Sequence, residues 1–182
     1  ASTFHEELLF QYFYDRATSN GEKAYLINQK IEGIRGTLFR QVLFAEFELK
    51  IHEWVEEGVP LTPKLLNEYY LDLMKEYSGP SLELDKALGY EWARIPHFYY
   101  NFYVYQYATG ISAAHVLAKG VLDKKPLAKE NLLGFLSSGG SKSPMETLKQ
   151  AGVDMTTPAA VESMLDTFAE LVSTLRSLMK NS

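Results

Sequence analysis

Apolar residues along this chain recur at steps of three and four nearly throughout, and no stretch sustains the period of two that a half-buried strand requires. Residues 2–17 place Phe4, Leu8, Leu9, Tyr12 and Phe13 at such steps, and the run stops at Thr18-Ser19-Asn20-Gly21, a helix stop followed by a turn. The longest periodic stretch covers 22–57, where Ile27, Ile31, Ile34, Leu38, Val42, Ala45 and Leu49 form one stripe. Gly33 and Gly36 interrupt it and predict a bend or break, since each costs about 1 kcal/mol relative to Ala inside a helix. After Gly58-Val59-Pro60, Thr62-Pro63 supplies an N-cap and a first-turn proline for a third helix to about Tyr77.

A loop opens at Ser78-Gly79-Pro80 and runs to Pro96, and an aromatic-rich helix is predicted over 98–119. A short helix follows Pro126, a brief one ends at Gln150, and Thr157-Pro158 caps a last helix to about Lys180. Between them, Ser137-Ser138-Gly139-Gly140-Ser141-Lys142-Ser143-Pro144 has the most flexible composition and reads as a linker or as a mobile loop over a site. The pattern predicts an all-α fold of about seven helices in a single helical domain over 1–182.

Composition narrows the chemistry. The 182 residues carry 23 acidic against 18 basic side chains, a formal net charge of −5, which argues against a nucleic-acid or anionic-membrane partner. Zero cysteines exclude a disulfide scaffold, a thiol nucleophile and a Cys-ligated metal. Charges interrupt every hydrophobic stretch before the roughly 18–20 residues a bilayer crossing needs. The opening Ala-Ser-Thr-Phe-His-Glu-Glu is not the basic then apolar leader of a secreted chain, and the missing initiator Met marks either processing or a piece of something longer.

Four histidines are available: His5, His52, His97 and His115. His5-Glu6 and His52-Glu53 each begin a zincin motif, but the second histidine one turn later is Leu9 or Glu56, so neither segment is a metal site by itself. His52 reads as an exposed helical residue among Glu48, Glu53 and Glu56, and His115 as a packed one among Ala113, Ala114, Val116 and Leu117. Thr3-Phe4-His5-Glu6 fits a capping box. The unusual segment is 89–110, which concentrates tyrosines between Tyr90 and Tyr107. A helix needing only bulk would use Leu and Ile, because each buried phenol requires a hydrogen-bond partner. On a helix, Tyr100, Tyr103 and Tyr107 share one face, with His97 at its entrance after Pro96. One imidazole and several phenols suit stabilisation of a developing oxyanion or grip on a peptide backbone; the alternative is an aromatic packing helix with satisfied hydroxyls.

Four stretches carry a family resemblance: Ala1 to Glu6; Phe39-Arg40-Gln41-Val42 with Phe47-Glu48-Leu49; Ile95-Pro96-His97-Phe98-Tyr99 through Tyr107-Ala108-Thr109-Gly110; and Gly139-Gly140-Ser141 through Met155. In these the chain resembles the C-terminal part of the oligoendopeptidase F family, zinc peptidases related to thimet oligopeptidase. The resemblance implies a mostly helical enzyme hydrolysing internal bonds of short peptides in the cytoplasm. It also implies that zinc is held by an HExxH helix and a later Glu. Both elements would lie upstream of Ala1, so the chain is expected to bind no metal of its own, to need the upstream part of the same protein as partner, and to be inactive alone. By the same resemblance, Tyr107 matches the tyrosine that donates to the oxyanion and Tyr103 is a second candidate. His97 matches the histidine that contacts substrate, Tyr100 a further substrate contact, and Gly139 and Gly140 a loop near the deep substrate channel that the resemblance implies between helical lobes. Glu6 matches an acidic position able to orient a zinc-bound histidine. The competing readings are a non-catalytic helical module whose aromatic helix docks a peptide, and a small-molecule enzyme using His97 as base.

Overall fold

The computed structural model describes residues 1–180, and among them all regular structure is helical. Eight α-helices run in order: α1 (Ser2–Arg16), α2 (Asn20–Ile34), α3 (Arg40–Glu56), α4 (Pro63–Ser78), α5 (Tyr105–Leu122), α6 (Ala128–Ser137), α7 (Pro144–Gln150) and α8 (Ala159–Lys180). The all-α expectation holds, with one helix more than the pattern suggests. The extra one arises because a π-helical turn, Arg35–Phe39, divides the long second stretch next to its two glycines. A π turn takes up an additional residue and shifts the phase of the helix beyond it. Ile27, Ile31, Ile34 and Leu38 are buried as the stripe predicts, but beyond the turn the buried positions are Leu43, Phe44, Phe47 and Glu48, while Val42 and Leu49 are exposed.

Local chemistry fixes the helix starts. Thr62 accepts the Leu65 N–H at 3.2 Å with Pro63 in the first turn, as read from the sequence. The turn at Thr18–Gly21 also opens α2: Ser19 Oγ accepts the Glu22 N–H, and the Glu22 carboxylate accepts the Thr18 and Ser19 N–H groups. The box expected at Thr3 is absent, because α1 already begins at Ser2; there Ser2 Oγ donates to Glu6 at 3.1 Å.

The chain packs as two compact units, Ala1–Arg35 with the chain from Thr109 onward, and Gly36–Ala108. In the first, α2 runs along α8, and Phe4, Leu117, Leu132 and Val153 close around the small residues Ala113, Ala114 and Ala118 of α5. Gly139 and Gly140 lie in the turn between α6 and α7, inside this unit. In the second, α3 and α4 pack on each other, and α4 packs on a 3₁₀ segment, Lys86–Arg94. Phe47 is completely buried there, with ring centroids 5.2 Å from Tyr70 and 5.4 Å from Phe98. Trp92 Nε1 donates to Asn67 at 2.8 Å and the Tyr70 hydroxyl donates to Glu91 at 2.9 Å, so the aromatic bulk of this core is hydrogen-bonded at its edges.

Candidate active site

The tyrosine-rich segment is not one helix. Pro96–Tyr99 is a 3₁₀ turn, the backbone is irregular through Val104, and α5 begins only at Tyr105. Asn101 and Phe102 both have left-handed φ, +40° and +55°. The Phe102 N–H donates to the Glu48 carboxylate at 2.7 Å instead of entering a helix. Tyr100, Tyr103 and Tyr107 therefore do not share a helix face, yet the turn gathers them around His97 by another route. The His97 ring stacks on Tyr103, with centroids 5.9 Å apart and an interplanar angle of 24°, and meets Tyr107 edge-on at 5.9 Å and Tyr100 at 6.5 Å. Tyr103 in turn contacts Tyr107 and Tyr100 edge-on.

Within the cluster Tyr107 Oη lies 3.2 Å from His97 Nε2. If Nε2 carries the proton it donates to the phenol oxygen, and the phenolic hydrogen is then available to an outside acceptor. Partial burial and the neighbouring Tyr103 phenol push Tyr107 above the ordinary tyrosine range, so it is a protonated donor at neutral pH. His97 and Tyr107 are half-buried, Tyr103 is 40% exposed and Tyr100 65%, so the cluster is open to solvent on one side. Hydroxyl donors that are rigidly placed and accessible can bind a carbonyl oxygen as negative charge develops on it.

The other expected site residues fall elsewhere. Gly139 and Gly140 are exposed at the rim of an apolar groove of about 530 Å³ in the first unit, lined also by Phe4, Leu132 and Leu148. Glu6 is exposed, and its carboxylate accepts the Ser2 hydroxyl. The buried carboxylate of α1 is its neighbour Glu7, which pairs with Lys30 and lies 3.4 Å from His115 Nδ1, while Thr167 Oγ1 is 3.1 Å from His115 Nε2. His115 is thus packed, as expected, but also hydrogen-bonded on both nitrogens. His52 is half-buried rather than exposed: its Nδ1 lies 2.7 Å from the Glu48 carbonyl oxygen, and its ring is 4.5 Å from that of Phe102. Sequence reasoning misses Glu48, because it reads as one of the exposed acids around His52. The available signal is its phase, one residue after Phe47 and four after Phe44. Among the described residues no three His, Asp or Glu side chains converge so as to hold a metal ion.

Known proteins supply the context for this geometry. The family model described as Peptidase family M3 matches residues 1–167. The chain belongs to peptidase family M3. It is 46% identical over 179 residues to oligopeptidase PepF of Bacillus subtilis, covering 98% of this chain and 27% of that protein. Against the oligoendopeptidase F homolog of Borreliella burgdorferi it is 43% identical, covering 92% of this chain and 28% of the relative. The crystal structure of oligoendopeptidase-F from Enterococcus faecium superposes with a TM-score of 0.97 at 44% identity, over 100% of this chain and 35% of that one. The M3 chain described here therefore spans between a quarter and about a third of the length of these relatives, and aligns with the Enterococcus faecium structure over its whole extent.

Proposed function

We propose that this chain supplies the oxyanion and substrate-contacting groups of a cytoplasmic, zinc-dependent oligoendopeptidase that cleaves internal bonds of short peptides. The observation that carries the proposal is the solvent-open pairing of Tyr107 Oη with His97 Nε2, buttressed by the stacked Tyr103 ring, in a chain of the M3 family. His97 orients the phenol, and Tyr107 turns its hydroxyl to the scissile carbonyl oxygen as charge develops there. Tyr103 serves as a second donor, and Tyr100, outermost of the four, contacts the peptide chain. Gly139 and Gly140 present backbone free of side chains to which a peptide can hydrogen-bond, and Glu6 acts on groups outside this chain.

In this proposal the metal ligands come from the part of the peptidase that this chain does not span, since it covers only 27% and 28% of two M3 relatives. The roles assigned to this chain are those of donor and orienting groups. Removal of one oxyanion donor costs about 10²–10³ in rate. In the intact peptidase, Tyr107→Phe should lower kcat by that order with KM little changed. A kcat unchanged within about twofold overturns the assignment. His97→Ala should likewise impair turnover while the metal content of the purified enzyme stays the same.

A further inference from the structure

Glu48 is completely buried in the second unit, and its carboxyl is only half satisfied there. Its Oε1 accepts the Phe102 N–H at 2.7 Å, whereas its Oε2 has no hydrogen-bond partner among the described residues. A desolvated carboxyl with an unpaired oxygen is costly relative to an apolar side chain of similar size. The segment it touches is equally unusual. Asn101 and Phe102 are consecutive non-glycine residues in the left-handed region, and a phenylalanine adopts that conformation only where its surroundings enforce it.

The enforcement comes from one turn of α3. Glu48 takes the Phe102 amide, and His52, tethered by Nδ1 to the Glu48 carbonyl oxygen at 2.7 Å, lies against the Phe102 ring at 4.5 Å. Tyr100 precedes this held turn and Tyr103 follows it, and both rings pack on His97. With the turn released, the Tyr103 ring loses the constraint that α3 supplies and keeps its edge contacts with Tyr100 and Tyr107, themselves partners of His97.

We infer that Glu48 is a positioning residue of the His97–Tyr103–Tyr107 cluster: by clamping the left-handed Asn101-Phe102 turn it sets the Tyr103 ring on His97. This rests on the reading of that cluster as substrate-facing machinery, and it can be tested apart from it.

In the intact peptidase, Glu48→Gln keeps an acceptor oxygen for the Phe102 N–H, whereas Glu48→Leu fills the space without one. Glu48→Leu should lower kcat about 10- to 100-fold with KM within about threefold, and Glu48→Gln should stay within about threefold of the parent. The His97 ring resonances, read in selectively labelled protein, should lose the ring-current shift from Tyr103 in Glu48→Leu and keep it in Glu48→Gln. Asn101→Val attacks the same turn from the exposed side, because a β-branched residue resists positive φ, and should reproduce both effects even if Glu48→Leu does not fold. An unmoved His97 resonance in both Glu48→Leu and Asn101→Val overturns the inference, as does equal impairment of Glu48→Gln and Glu48→Leu. Should Tyr107→Phe prove inert while the His97 resonance still responds as expected, the positioning role stands and the catalytic reading of the cluster falls.

Discussion

Glu7 shows how a single residue couples the first unit to pH. Burial alone would raise its pKa, but the His115 hydrogen bond and the Lys30 charge outweigh that and hold the carboxyl below the ordinary glutamate value. Between the folded and unfolded pKa values the unfolded chain binds more protons. The stabilisation is therefore complete above the unfolded value and is lost as pH falls through the folded one. Urea unfolding should show stability decreasing as the solution is acidified below the usual carboxylate range, and Glu7→Gln should flatten that slope. At neutral pH, Glu7→Ala should cost about 3 kcal/mol, since it leaves the part-buried Lys30 and the buried His115 without their acceptor; a loss under about 0.5 kcal/mol would mean the network is solvated in solution. The local signal that separates Glu7 from Glu6 is its phase, three residues after Phe4 and one before Leu8. The partners that face Glu7, Lys30 on α2 and His115 on α5, are remote in sequence and make it the inward carboxylate.

Helical elements are legible in the sequence wherever a local device sets them. The Thr62-Pro63 cap that starts α4 and the glycine-flanked interruption near Arg35 depend on residues within one turn of each event. The Tyr100–Val104 segment is not legible, and the reason is equally physical. Its three- and four-residue aromatic spacing fits a helix, but its decisive hydrogen bond goes to Glu48, a residue 54 positions away that local periodicity cannot reveal. Composition thus picks out His97 and the tyrosines as a group, while the backbone that gathers them differs from the helix their spacing predicts. Close packing at the element level is tested by Gly89, in the 3₁₀ segment against α4. A Cβ there would stand 2.9 Å from the carbonyl oxygen of Asn67, the same α4 residue whose side chain accepts the Trp92 N–H. Gly89→Ala should separate the two elements and destabilise the protein by about 1–3 kcal/mol, with the Trp92 fluorescence of the folded state altered; a neutral substitution would show that the segment has room to slide.

For the whole chain, the apolar surface is informative. Leu9, Tyr12 and Phe13 of α1 are about half exposed, within a chain that aligns with only part of its M3 relatives. Isolated from the remainder of such a protein, the chain is expected to self-associate, with sedimentation velocity showing a weight-average mass that rises with concentration; a clean monomer at high concentration would contradict this. The division into units has a temporal side as well. The second unit is a single continuous segment, but the first is assembled from both ends of the chain, and α2 packs along α8, more than a hundred residues later. During translation at about 5–20 residues per second, α2 therefore leaves the ribosome seconds before the helix it packs along has been made. For that interval the face of α2 that packs on α8 meets water or a chaperone, so the yield of folded protein depends on how long the nascent chain is kept from premature partners.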